Sequence, residues 1–191
     1  LNSVEPIRDY LVLEGVLRDL EKWNPKYHAI FLVGIYTGLR ISDILRLRVR
    51  DIRADELRIR QKKNRKWVML PVHPEIRRGI AEYIKGMSDH DWLFRSRQVK
   101  LNVRVRRELD RSTVYKMLNK VCSNYGLYSV GCHTMRKTFG YHMYMANKKN
   151  VGLIMEIFGH SDQSITLRYI GVTQDTINDA VLRFKYRESY T

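Results

Sequence analysis

The sequence predicts a mainly helical α+β domain with one small antiparallel sheet of three strands, on three observations. Two N-terminal stretches carry apolar residues at helical spacing, the stretch from Arg48 to Val72 switches to period two, and helical spacing returns in the C-terminal half. Residues Asp9 to Trp23 set Leu11, Leu13, Val16, Leu17 and Leu20 among charges, an amphipathic helix. Asn24 then caps, and Pro25 opens, a second helix through an almost wholly apolar stretch to Thr37, where Gly38 stops it. Ser42 is placed to cap a short third helix over Asp43 to Leu47, which leaves Arg40 in a tight connection between helices.

Within Arg48 to Val72, breaks at Ala54-Asp55 and Asn64-Arg65 read as hairpin turns and divide the stretch into its three strands. Pro74 opens a helix to about Ile84, and the segment from Gly86 to Asp110 is irregular and basic around Trp92-Leu93-Phe94. Further helices are expected at Ser112 to Tyr125, Thr134 to Met145, Val151 to Phe158 and Thr173 to Tyr186. No repeat or low-complexity linker divides them, and 191 residues of 44% hydrophobic content suit one core, hence one domain.

Lys and Arg number 35 against 20 Asp and Glu, a net charge of +15. Between Arg40 and Arg111 there are 21 basic and 10 acidic side chains, so most of the excess lies in about a third of the chain. A single basic run is ordinarily a solvated face, but this one persists through the predicted strands and points to a polyanionic partner, double-stranded DNA. A membrane would use the same charge, yet no apolar run approaches the ~20 residues of a spanning helix, and no signal peptide or basic amphipathic anchor is seen. Cys122 and Cys132 form no Cys-x-x-Cys pair, so an intracellular protein with buried structural thiols is expected. Cys132 beside His133 lacks the further ligands of a closed zinc site, so no metal and no cofactor is expected.

Four strings carry chemistry: TGLRISD at 37–43, QKKNRKWVMLP at 61–71, HTMRKTFGYH at 133–142 and FGHSDQSITLRY at 158–169. Taken singly, each has an ordinary reading: Arg40 a surface ion-pair partner, Lys63 a hairpin charge, His133 a helix cap, Tyr169 a core aromatic. Together they resemble the catalytic domain of the tyrosine recombinase, or phage integrase, family. That family carries an Arg in a TGLR-like turn, a hairpin Lys, a His-x-x-Arg box, a His after Gly, and a nucleophilic Tyr nine residues beyond. The matching positions here are Arg40, Lys63, His133, Arg136, His160 and Tyr169, with 33 residues from Arg136 to Tyr169.

The resemblance implies the fold of a DNA breaking-rejoining enzyme core and a site-specific recombinase or integrase working through a 3′-phosphotyrosyl intermediate. Its chemistry agrees with these residue types. Two permanently charged guanidiniums, Arg40 and Arg136, suit a phosphodiester whose transition state gathers charge, with His160 adding a hydrogen bond. A phenol of pKa about 10 needs a proton acceptor. By resemblance His133 is that base, and Lys63 the acid for the departing 5′ oxygen. Lys62, Lys63 and Lys66 share the hairpin. Lys63 is selected by its eight-residue distance from Pro71, although Asn64-Arg65 stands where family members have Thr-Gly. Asp43 has two even readings, a carboxylate that orients Arg40 or a first-turn helix acid. His28 and His142 read as ordinary helix residues, and Tyr141 and Tyr144 as packing positions.

Residues 1–191 are thereby expected to be a catalytic domain, without the helical DNA-clamping domain that precedes it in most family members. The amphipathic tail from Gln174 to Tyr186, with Ile177, Val181, Leu182 and Phe184, resembles the segment such proteins pack on a neighbouring protomer, implying a tetramer on DNA. Packing on its own core is the alternative. A cytoplasmic, nucleoid-associated location follows from the same resemblance. Two other functions remain: DNA relaxation of the type IB topoisomerase kind, and a DNA-binding protein without catalysis.

Overall fold

The computed structural model describes residues 4–96, 109–172 and 181–184. Helix α1 (Tyr10–Trp23) starts where the Asp9 carboxylate accepts the Leu11 and Val12 amide protons. Asn24 caps α2 (Pro25–Thr37) through the Lys26 amide, and Gly38 ends it in the left-handed region at φ 61°. Ala29, Ile30, Phe31 and Val33 are fully buried, so α2 is the central helix, packed by α1 and by two helices further along the chain. So apolar a helix must be covered on most of its sides, and Ile30, Phe31 and Val33 each contribute about 1.5–3 kcal/mol by leaving water.

The short α3 (Ile41–Ile44) begins at Ile41, not at Asp43. The Arg40 carbonyl accepts the first amides, from Asp43 and Ile44, which leaves the Ser42 side chain no capping role. Beyond it the expected three-stranded sheet has two strands among the described residues: β1 (Glu56–Arg60) and β2 (Trp67–Pro71), antiparallel, with Leu57 opposite Leu70 and Arg60 opposite Trp67. The first expected strand is instead helix α4 (Val49–Arg53). Val49 and Ile52 are buried and three residues apart, a helical step. Extended backbone would have turned them to opposite faces, each among charges. The Asp51 carboxylate accepts the Arg48 amide proton at 2.7 Å and starts the turn.

Helix α5 (Pro74–Ile80) follows, shorter than expected, and the irregular stretch after it is anchored by Leu93 and Phe94, both fully buried. Helices α6 (Arg111–Ser123), α7 (Thr134–Ala146) and α8 (Val151–Phe158) stand where helical spacing placed them. Helix α9 (Gln163–Tyr169) was not expected. The predicted helix from Thr173 to Tyr186, and with it most of the amphipathic tail, lies outside the described residues apart from positions 181–184. Among the described residues no helix is long and apolar enough to cross a membrane.

Phe139, Ile154, Phe158 and Ile170 form a second apolar cluster that joins α7, α8 and the end of α9. Gly140 makes that junction close: a Cβ there would lie 2.7 Å from Ile170 Cγ2 and 2.9 Å from the Phe158 ring. Both neighbours are fully buried and have no room to withdraw. Overpacking costs about 1–3 kcal/mol, whereas alanine's better helix propensity returns at most about 1 kcal/mol. Gly140→Ala is therefore expected to lower the urea midpoint of unfolding, and an unchanged or raised midpoint would show that the α7–α8 contact is slack.

Candidate active site

The two arginines reach one place by different routes. Arg40 stands at the N-cap of α3, in the turn that the left-handed Gly38 creates. That glycine has a second reason to be there, because a Cβ would collide with the Phe139 ring. Arg136 projects from the first turn of α7 and is only 3% exposed. Its Nη1 donates to the Gly38 carbonyl at 2.6 Å and its Nη2 to the Phe158 carbonyl at 3.2 Å, while the guanidinium lies 3.9 Å over the Phe158 ring. One buried cation thus gathers the C-terminal ends of α2 and α8.

Tyr169 is the last residue of α9, a helix started by Asp162, whose carboxylate accepts the Ile165 amide proton at 3.0 Å. Asp162 three residues before the apolar Ile165 is a capping signal that was available in the sequence. The phenol oxygen of Tyr169 lies 3.0 Å from His133 Nδ1, the two rings edge to face. His133 heads α7, so α7 sets both members of the His-x-x-Arg box on one turn. His160 follows Gly159, which ends α8 in the left-handed region. Its Nδ1 is 3.1 Å from Thr166 Oγ1, a buried hydroxyl of α9, and its ring packs edge to face with that of Tyr169. Thr166 went unnoticed in the sequence. Its position, three residues before Tyr169 on one helix face, was the available signal.

The β1–β2 hairpin carries the lysines. Lys63 is exposed at its tip, and its charge is among those that hold the pKa values of His133 and His160 down, whereas Lys62 and Lys66 have no such part. Arg65, rather than Asn64, takes the left-handed conformation at φ 60°, and the Asn64 carboxamide accepts the Lys66 amide proton. Asp43 does not orient Arg40. Its fully buried carboxylate accepts the Lys62 amide proton at 2.9 Å and faces Arg46 at 3.6 Å, while Arg40 Nη1 donates to Gln61 Oε1 at 2.5 Å. Elsewhere, His142 bonds the Ile7 carbonyl and Tyr144 packs on the second cluster, as ordinary helix residues do.

The charge distribution is one-sided. Burial raises the Tyr169 phenol above its ordinary pKa, and the Arg136 and Arg40 guanidiniums offset part of that rise. Burial lowers Arg136 to about 10, which still leaves it cationic at neutral pH. His133 and His160 are both lowered, first by desolvation and then by Arg136, Arg40 and Lys63. With Nε2 protonated, a neutral His133 offers Nδ1 as acceptor for the phenolic proton. The arrangement can therefore bind an anion on Arg40 and Arg136 beside a phenol already in contact with a base.

Residues 16–175 match the model described as the phage integrase family, and the chain belongs to that family. It is 36% identical over 181 residues to the "Probable integrase/recombinase YoeC" of Bacillus subtilis, covering 94% of this chain and 96% of that protein. The tyrosine recombinase XerA of Pyrococcus horikoshii is 28% identical over 87% of this chain, but the match spans only 57% of that longer protein. In fold, the chain is similar to the crystal structure of XerA recombinase at a TM-score of 0.73, with 20% identity, covering 96% of this chain and 66% of that one. The post-cleavage complex of the XerH recombinase with its difH substrate gives a TM-score of 0.67 at 19% identity, over 94% of this chain and 53% of that one.

The histidine shifts have a sign that can be tested. Unfolded, both rings protonate near 6.5; in the native protein they resist the proton, so below that pH the unfolded chain binds more protons. The stability tied to these two rings is fully present above about pH 6.5 and is lost as the pH falls through that value. NMR titration is expected to give midpoints below 6.5 for both rings, and urea unfolding is expected to be easier at pH 5.5 than at 7.5. Midpoints at or above 6.5 would contradict the arrangement.

Proposed function

We propose that this chain is the catalytic domain of a site-specific recombinase that cuts and reseals double-stranded DNA through a 3′-phosphotyrosyl bond to Tyr169. The observation that carries this reading is the 3.0 Å contact between the Tyr169 hydroxyl and His133 Nδ1, beside the guanidiniums of Arg40 and Arg136. Arg40 and Arg136 take the non-bridging oxygens of the scissile phosphate, with His160 as a further donor. The phenol oxygen attacks phosphorus as His133 accepts its proton, and the P–O5′ bond breaks as Lys63 protonates the departing oxygen. The covalent link conserves the phosphodiester's energy, so attack by a 5′ hydroxyl of another strand reseals DNA and releases Tyr169 without a nucleotide cofactor. Exchange between two duplexes requires more than one copy of the site, and we assign this to self-association as a tetramer on DNA.

A nicked suicide DNA site tests the reading, because loss of the short 5′-hydroxyl fragment traps the covalent protein. The wild-type protein is expected to form the adduct and Tyr169→Phe to form none. Arg40→Ala is expected to slow it by about 100-fold to 1,000-fold, the usual cost of one well-placed donor to a developing charge. An adduct that persists in Tyr169→Phe would overturn the nucleophile. Relaxation of supercoiled plasmid with no recombinants between two sites would replace recombination by strand passage.

A further inference from the structure

Gln61 is the residue of this site that neither its motif nor its assigned chemistry accounts for. It is 3% exposed, although its side chain is polar, and its Oε1 accepts the Arg40 Nη1 proton at 2.5 Å. Its own backbone closes the mouth of the hairpin, donating to the Lys66 carbonyl at 2.9 Å and accepting from the Arg65 amide at 3.1 Å. One residue on, the Lys62 amide donates to the buried Asp43 carboxylate. The turn holding Arg40 and the hairpin holding Lys63 are therefore tied twice, once through a side chain of each segment.

We propose that Gln61 is a positioning residue that acts on the scissile phosphate through Arg40; this rests on the recombinase reading of the site. A guanidinium offers five N–H donors in a rigid plane. Fixing one Nη edge on a buried acceptor sets the orientation of that plane and leaves the remaining donors for an anion. The acceptor is a neutral amide. A carboxylate at the same place would hold the plane equally well, but would cancel the charge that the phosphate must meet. Because Gln61 is also part of the hairpin, its bond to Arg40 keeps the phosphate-binding plane in register with the Lys63 tip two residues away.

Gln61→Met keeps the buried volume and removes the acceptor, so it separates position from packing. On the nicked suicide site it is expected to lower the cleavage rate about 10-fold to 100-fold, the worth of one hydrogen bond to a charged group. A site with a methylphosphonate at the scissile position carries no negative charge for Arg40 to meet, and there the loss is expected to shrink to a few-fold. A wild-type rate for Gln61→Met on the ordinary phosphodiester would overturn the proposal, and so would an equal loss on both substrates, the mark of a merely structural role. NMR of the DNA-free protein decides the point independently of activity. Rotation about the Arg40 guanidinium C–N bonds is expected to be slow in the wild type and fast in Gln61→Met, and equal rates would overturn the proposal. If the wild type forms no adduct at all, the recombinase reading fails, while the NMR comparison still tests what Gln61 does to Arg40.

Discussion

A guanidinium buried to 3% exposure sits at the junction of α2, α7 and α8, and among the described residues no carboxylate forms an ion pair with Arg136. Removing a charge from water costs several kcal/mol even after the surroundings relax. What offsets that cost here is two helix ends. The carbonyls of Gly38 and Phe158 lie at the C-termini of α2 and α8, where carbonyls lack intrahelical partners and the backbone dipoles present partial negative charge. Both helices must therefore stop at this place, and both do so at a left-handed glycine, Gly38 and Gly159. The turn after Gly38 delivers Arg40, and the turn after Gly159 delivers His160. The buried cation and the two helix stops are one arrangement, and most of the site follows from it.

Partial charges solvate a cation without neutralising it. Desolvation lowers both histidines first, and Arg136, Arg40 and Lys63 lower them further, which indicates a net positive field where the proposed phosphate would lie. Such a field has two uses under the recombinase reading. It attracts the phosphodiester, and it keeps His133 neutral, hence able to accept the Tyr169 proton. Burial of Tyr169 works against ionisation in the free protein, so under the same reading the phenol, although already in contact with His133, stays protonated until a phosphate is in place.

Much of this was legible in the sequence because it rests on local rules. Asp9, Asn24, Pro25 and Gly38 mark the ends of α1 and α2 by capping chemistry that acts within a few residues. The six candidate residues were found through family motifs; in the structure His133, Arg136 and His160 lie directly against Tyr169 or Phe158, and Arg40 and Lys63 act on the two histidines through their charge. The failures were of another kind. Residues 45–50 alternate apolar and basic side chains, which reads as a strand, but Val49 and Ile52 stand a helical step apart, and their burial together with the Asp51 cap decided it. Helix α9 was missed because its seven residues give periodicity little to act on, so only Asp162 announces it. The partner of Asp43 in the hairpin and the hold of Gln61 on Arg40 were not legible because these bonds cross 19 and 21 residues of chain, which local spacing does not encode.

Placing Tyr169 on so short a helix has a physical consequence. Seven residues are too few to form a stable helix alone, so α9 is held by what it touches. Thr166 bonds toward His160, Ile170 is fully buried against Gly140 and Phe158, and Tyr169 itself meets His133. Each of those partners belongs to α7, α8 or the turn after α8, the same elements that Arg136 gathers. The position of Tyr169 is thus set by side-chain contacts to the buried-cation junction more than by its own helix. A segment with little intrinsic structure and one firm docking place can release its hold without unfolding the core, since its detachment exposes only the small second cluster. Under the recombinase reading Tyr169 would first attack phosphorus and later leave it, and such a tether would fix it at the moment of reaction and keep it separable afterwards.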